Sequence, residues 1–399
     1  MKTSILPLAS LLLAASALVP QSDAQTTYVV DVNGGPGSDF LEIQPALDVA
    51  GPFDVIEVRP GGYAPFAATR AARIISLGHV VLSSTATITG VDEGDWMVVA
   101  GFHTRSMEVR DCEGTVLIED LKLRGVSGRL TIDRCADVRL RAIDHSTQNS
   151  FSALEINSSR VQVTDSLLGG YTKANNYVQG RHAVELTGGS FFHALNCDIR
   201  GEEGGDNDDV IGAIPPAGGD CIHSRNESEA RVVRCALSPG IGGTNDGYPW
   251  LPTYGRNGYY LDASGGQHSF WQTTYYTNSL SGGATLENSI PLPSLQQGAG
   301  ALTAGSSVQL AVRSEPGSSG RLLFGRRPLV VAQPNTSLER LVDIGRLASL
   351  GSMSPTGVQT LTFPIPAAWP RGTVVFLQTS ATVAGGATDM SNSVALIVR

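Results

Sequence analysis

Short apolar segments recur between about residues 95 and 262 at a nearly fixed spacing, and this constrains the fold more than any other feature of the chain. One series runs Met107, Leu130, Leu154, Val184, Ile222 and Tyr259, in the contexts SMEV, RLTI, ALEI, AVEL, CIHS and YYLD. A second runs Val99, Leu123, Ile143, Leu168, Ile199 and Leu237, each close to a Gly or a turn. From each member of the first series, starting at Met107, the step to the next member of the second is 16, 13, 14, 15 and 15 residues. A third apolar pair falls between them, as Val116 and Ile118, Val138 and Leu140, then Val161 and Val163. Each repeat therefore offers three short strands of period two.

Three strands in a repeat of about 23 residues describe a right-handed parallel β-helix, in which turns stack about 4.8 Å apart and like residues lie over one another. Composition agrees: 46 Gly and 21 Pro in 399 residues suit a turn-rich all-β protein. With 28 Lys and Arg against 37 Asp and Glu, the net charge of −9 disfavours a nucleic-acid partner.

An exposed apolar end of such a stack needs a cap. Residues 37–63, GSDFLEIQPALDVAGPFDVIEVRPGGY, predict a short helix burying Ile43, Leu47 and Ala50, with Pro45 near its start, followed by a strand and a turn. This segment and the repeats behind it resemble secreted bacterial proteins of the pectin-lyase-like, right-handed β-helix superfamily, over roughly residues 28–275. That superfamily holds polysaccharide lyases, glycoside hydrolases, pectin esterases, epimerases and noncatalytic surface proteins. The resemblance thus implies a fold and a carbohydrate setting rather than one activity.

Ahead of the cap, Lys2, the apolar stretch from Ile5 to Val19 and Ser22-Asp23-Ala24 read as a signal peptide over 1–24. A secreted or cell-surface protein is expected, with no transmembrane segment in the mature chain. The β-helix with its cap is expected over 25–280 and a linker or cap over 281–300. Over 301–399, the alternating segments SVQLAV, RPLVVA, TLTFPI, TVVFLQ and SVALIV predict a small β-sandwich that resembles immunoglobulin-like modules.

The return from the second series to the first lengthens from 7 residues to 11, 16, 23 and 22. Insertions therefore accumulate on one corner, and the loops 169–182, 200–220 and 238–258 are expected side by side, where loops on a rigid scaffold tend to carry function. The middle loop holds Glu202, Glu203, Asp206, Asp208, Asp209 and Asp220. Asp206, Asp208 and Asp209 are candidate calcium ligands or, with His223 and Arg225, candidate catalytic groups. Lys173, Arg181, Tyr248, Trp250 and Tyr254 are candidate substrate-binding residues, since cations pair with acidic sugars and aromatic faces stack on sugar rings. His182 and His223 lie at loop bases, where either suits acid–base work. A zinc site is not expected, because no HExxH or His-x-His spacing occurs.

The catalytic patterns of polygalacturonase-like, pectin-esterase-like and pectate-lyase-like proteins are not reproduced. The expected role is binding of extracellular carbohydrate by a noncatalytic scaffold, with a polysaccharide lyase or glycoside hydrolase using the 200–220 loop as the alternative.

Cys112 and Cys135 each follow a first-series residue by five positions, and Cys197 and Cys235 each precede a second-series residue by two. Matched sites on adjacent turns permit two inter-turn disulfides, or a stack of buried thiols. Cys221 is left over.

Overall fold

A computed structural model describes residues 25–52, 54–125, 128–145, 151–169, 178–206, 215–244, 256–271, 273–275, 280–281, 285–287, 293–298, 302–331, 340–342, 346–382 and 388–399. The chain divides into two compact units, with the boundary between Ser289 and Ile290. The first is nearly all-β: a single parallel sheet of 25 strands that curls round an axis. Among the described residues, no helix is long and apolar enough to cross a membrane.

Register rather than strand length defines this sheet. Along one ladder Ala86, Met107, Leu130, Leu154, Val184, Ile222 and Leu261 lie directly over one another. Along a middle ladder Val99, Ile118, Leu140, Val163, Ala194, Val232 and Phe270 do the same. A third aligns Thr104, Leu123 and His145, then Leu168, Ile199, Leu237 and Tyr275. The ladder residues from Met107 to Ile222, Val99 to Phe270 and Leu123 to Leu237 are buried and, apart from His145, join one hydrophobic core. Three assignments from the sequence change. Leu261, not Tyr259, continues the first ladder; His145, not Ile143, occupies the third; and Val99 belongs to the middle one.

Two of the three corners are tight and use left-handed residues, one per bend on most turns and a consecutive pair, such as Asn226 and Glu227, in the first-to-middle bend of later turns. Asp111, Arg134 and Ser158 have φ of 54°, 51° and 47° between the first and middle strands. Asp120, Ala142, Asp165, Asn196 and Arg234, at 51° to 54°, recur between the middle and third strands. The Asn196 side-chain amide donates to Asp165 Oδ1 at 2.7 Å, tying neighbouring bends together. The middle-to-third step is five residues on every turn from Val99–Thr104 to Phe270–Tyr275, and from Met107 onward the first-to-middle step changes by only a residue or two. The large changes in length fall on the third corner, as the sequence spacing implies.

The cysteines occupy positions that serine fills on other turns. Cys112, Cys135 and Ser159 each donate to the carbonyl two residues earlier, at 3.3, 3.3 and 2.7 Å. Along the axis, the Cys135, Ser159 and Ser190 amides donate to the hydroxyls of Ser159, Ser190 and Ser228. Ser166, Cys197 and Cys235 form a second such column, and the Cys197 amide points at Cys235 Sγ, 3.3 Å away. The expected pairs do stack, Cys112 against Cys135 in the ladder, but all five cysteines are buried free thiols. Cys112, Cys135, Cys197 and Cys235 each place the sulfur as a small buried donor to their own turn.

The helix predicted near the start of the chain spans Ile43–Val49 and buries Ile43, Ala46 and Leu47, with Ala50 buried beyond it. In the second unit, the antiparallel strands Ser294–Gln297, Ser307–Arg313 and Val358–Pro364 make one sheet, and Ser319–Gly325, Arg346–Ser352, Val374–Thr382 and Thr388–Ile397 another. Leu310, Phe363, Phe324, Leu377 and Leu396 share a core. Ser294–Gln297 pair with 310–313 and so belong to this unit, where the sequence suggested a linker.

The stems of the third-corner loops pack backbone against backbone. Glu202, Gly219, Gly240 and Gly258 donate in turn to the carbonyls of Arg181, Glu202, Gly219 and Gly240, at 2.8 to 2.9 Å. A Cβ on Gly219 would lie 1.8 Å from the Arg181 carbonyl oxygen. Gly219→Ala is therefore expected to destabilise the fold by about 2–3 kcal/mol, whereas Gly62→Ala, with open space at its Cβ, costs less than about 1 kcal/mol. Denaturant unfolding checks this, and equal midpoints for the two variants would contradict the packing.

Candidate functional site

Strand alternation turns the residue after each first-ladder position outward. Glu108, Thr131, Glu155, Glu185, His223 and Asp262 consequently form one column in direct register on the outer face. The loop stems enter this face just before each strand, and they bring two further side chains to it: His182, two residues before Val184, and Asp220, two before Ile222.

Asp220 is the centre of the cluster. Its side chain is only 2% exposed, and Oδ1 accepts the Tyr259 amide at 2.7 Å. Oδ2 lies 3.0 Å from His182 Nδ1 and 3.1 Å from His223 Nδ1. The two imidazole rings stack at 4.1 Å with planes 13° apart. His223 Nδ1 also faces Asp262 Oδ2 at 3.4 Å, and Arg225 donates to that same oxygen at 3.0 Å. Among the described residues, His223 Nε2 has no hydrogen-bond partner, so it is the nitrogen left for an incoming group.

Burial alone raises the Asp220 pKa. The two imidazoles against Oδ2 and the hydrogen bond from the Tyr259 amide outweigh it and hold the carboxyl well below the ordinary aspartate range. Two turns away, Glu155 shifts the opposite way: burial raises it, and Glu185 beside it adds to the shift against the pull of Arg129 and Thr131. Glu185 accepts from Ser152 Oγ at 3.2 Å. The face thus holds an ionised buried aspartate and a glutamate held towards its acid form, the kind of separation that acid–base chemistry uses.

Several residues expected from the sequence meet here. His223 and Arg225 belong to the cluster. Arg181 is exposed beside His182, and its backbone amide donates to Glu202 Oε2 at 3.1 Å. Asp206 accepts both the Thr244 amide, at 3.0 Å, and the Thr244 hydroxyl, at 2.6 Å, and so ties neighbouring loop stems together. Asp208, Asp209, Lys173, Tyr248, Trp250 and Tyr254 lie outside the described residues, and with Asp208 and Asp209 goes the rest of the expected calcium set.

Asp220 stood in the sequence only as one acid of a loop, and Asp262, Glu155 and Glu185 carried no assignment. The signal that finds the last two is their place one residue after a ladder position. Asp262 needed the true register of Leu261. His182, Asp220 and His223 offer three donor atoms within 4.8 Å of one another, a metal-ligand grouping that no local His spacing announced. Comparison with protein-family models, with curated proteins and with solved structures gives no match for this chain.

Because the folded Asp220 pKa lies below its ordinary value of 3.8, its ion pairing contributes stability that is present above that value and is lost as pH falls through the folded one. Wild type is expected to exceed Asp220→Asn in stability at about pH 4, by a margin that shrinks as pH falls below it. Denaturant midpoints from about pH 4 downward check this; a margin that grows over that acid range contradicts the assigned network.

Proposed function

We propose that residues 27–289 form a right-handed parallel β-helix of an exported protein, and that its outer first-ladder face binds an extracellular polysaccharide. Three parallel ladders, with partners on adjacent turns separated by 18 residues, as Val55 and Arg73, up to 39, as Ile222 and Leu261, support the β-helix. The chain's N-terminal pattern of charge, apolar stretch and small residues supports export. The second unit, whose three- and four-stranded antiparallel sheets share one core, fits an accessory β-sandwich.

The observation that carries the binding role is the column Glu155, Glu185, His223 and Asp262, which runs along the axis beside the stems of the longest insertions. A linear chain of sugars presents hydroxyls at a regular interval, and a column of carboxylates and imidazole one strand spacing apart offers acceptors at a regular interval to meet them. Arg225 and Arg129 flank the column, paired with Asp262 and Glu155 at 3.0 and 3.9 Å, and keep its acids fixed for recognition.

One feature favours glycan cleavage as a second reading. His223 is held at Nδ1 between Asp220 and Asp262, the arrangement by which carboxylates orient an imidazole for proton transfer at its other nitrogen. In this reading Nε2 exchanges a proton with the sugar, while Glu155 supplies an acid two turns away.

Isothermal titration against soluble neutral and uronic-acid polysaccharides tests the binding role. Saturable binding to at least one class is expected, weakened about tenfold or more by Glu185→Ala and by His223→Ala. Absence of binding across both classes, or binding untouched by both variants, overturns it. If the face also cleaves, His223→Ala abolishes release of new chain ends while His79→Ala, outside the cluster, retains it.

A further inference from the structure

We propose that His182, Asp220 and His223 bind a divalent transition-metal ion of the zinc type. The inference is independent of the glycan reading, since it rests on the donor set alone.

The hydrogen bonding of the cluster leaves a charge to be supplied. The Asp220 backbone N–H points at His182 Nδ1 from 3.1 Å, which requires a lone pair on that nitrogen. The same nitrogen lies 3.0 Å from Asp220 Oδ2, which also presents a lone pair. One nitrogen cannot accept from the amide and donate to the carboxylate at once. On the other side, His223 Nδ1 approaches the same Oδ2 at 3.1 Å and Asp262 Oδ2 at 3.4 Å. Protonating both imidazoles would place two cations face to face at 4.1 Å. A single cation among the three donors takes the Nδ1 lone pair of each imidazole and balances the Asp220 charge, with the Asp220 amide giving up His182 Nδ1 as its acceptor.

The dimensions and chemistry fit zinc. Bonds of about 2.0–2.1 Å in a tetrahedral site set its ligands roughly 3.3 Å apart, and the two nitrogen-to-Oδ2 separations, 3.0 and 3.1 Å, need open by only a few tenths of an ångström. Coordination also tilts the parallel rings so that their in-plane lone pairs converge. Two imidazoles with one carboxylate favour zinc, cobalt, nickel or copper over calcium and magnesium, which take oxygen ligands. Asp220 cannot swing away, because the Tyr259 amide holds Oδ1 at 2.7 Å. Asp262, anchored by Arg225, faces His223 Nδ1 at 3.4 Å and adds a second negative charge beside the three donors. Three protein ligands leave a fourth position for water, and the imidazoles, 20% and 16% exposed, leave a path to it.

The test is titration of the chelator-stripped full chain with zinc chloride by calorimetry, with Co²⁺ as a spectroscopic probe of tetrahedral nitrogen and oxygen ligation. One equivalent is expected to bind. His182→Ala and His223→Ala are each expected to weaken it by about 100-fold or more, and Asp220→Asn to weaken it while circular dichroism stays that of the wild type. His79→Ala is the control: His79 meets His103 edge to face at 4.3 Å but is no member of the cluster, so binding stays unchanged. No saturable binding, or binding that survives both His182→Ala and His223→Ala, overturns the proposal. Equal loss in the His79 control overturns it as well.

Discussion

Parallel hydrogen bonding between successive turns is the constraint on which the rest of residues 27–289 depends. Once one turn is in register with the next, each side chain has a fixed neighbour one strand spacing away, and its face is set by alternation. Apolar ladders follow inside, where each buried Leu, Ile or Val contributes roughly 1.5–3 kcal/mol. On the outside the same rule assembles the column of Glu155, Glu185, His223 and Asp262. The inner columns of Cys and Ser obey it too, carrying buried donors along the axis in place of extra backbone bonds.

The corners divide the labour. Two are closed by left-handed residues and, from Met107 onward, change by at most a residue or two; the third takes the long insertions. Even there the added chain is not loose at its base, because glycine backbones interlock at distances no Cβ tolerates. Those stems carry His182 and Asp220 to the outer face. A rigid stem is what lets a buried aspartate sit between two imidazoles from turns 41 residues apart in sequence.

Much of this was legible in the sequence, and the errors have a common form. Tyr259 and Ile143 each stood two residues from the true ladder positions, Leu261 and His145. A shift of two preserves the face in a strand, so an apolar criterion cannot detect it. His145 was passed over because it is polar, although it is buried with Nε2 on the Gly128 carbonyl. His223 and Arg225 were found from their nearness to a ladder. Their partners were not, because Asp220 and Asp262 become neighbours only through the register of turns separated by long insertions. The stacking of Cys112 on Cys135 was legible, while the choice between disulfide and thiol stayed open, since spacing shows which residues stack but not how their sulfurs are bonded.

The account turns on the register that places Asp262 over His223, and cysteine trapping reads it most directly. Directly paired parallel positions lie about 4.8 Å apart, within disulfide reach. Mild oxidation of the His223→Cys, Asp262→Cys variant, followed by peptide mapping, should yield a bridge between those positions. The His223→Cys, Tyr260→Cys variant, which tests the two-residue alternative register, should yield none. A bridge in the second variant and not in the first would contradict the assembled face and the site built on it.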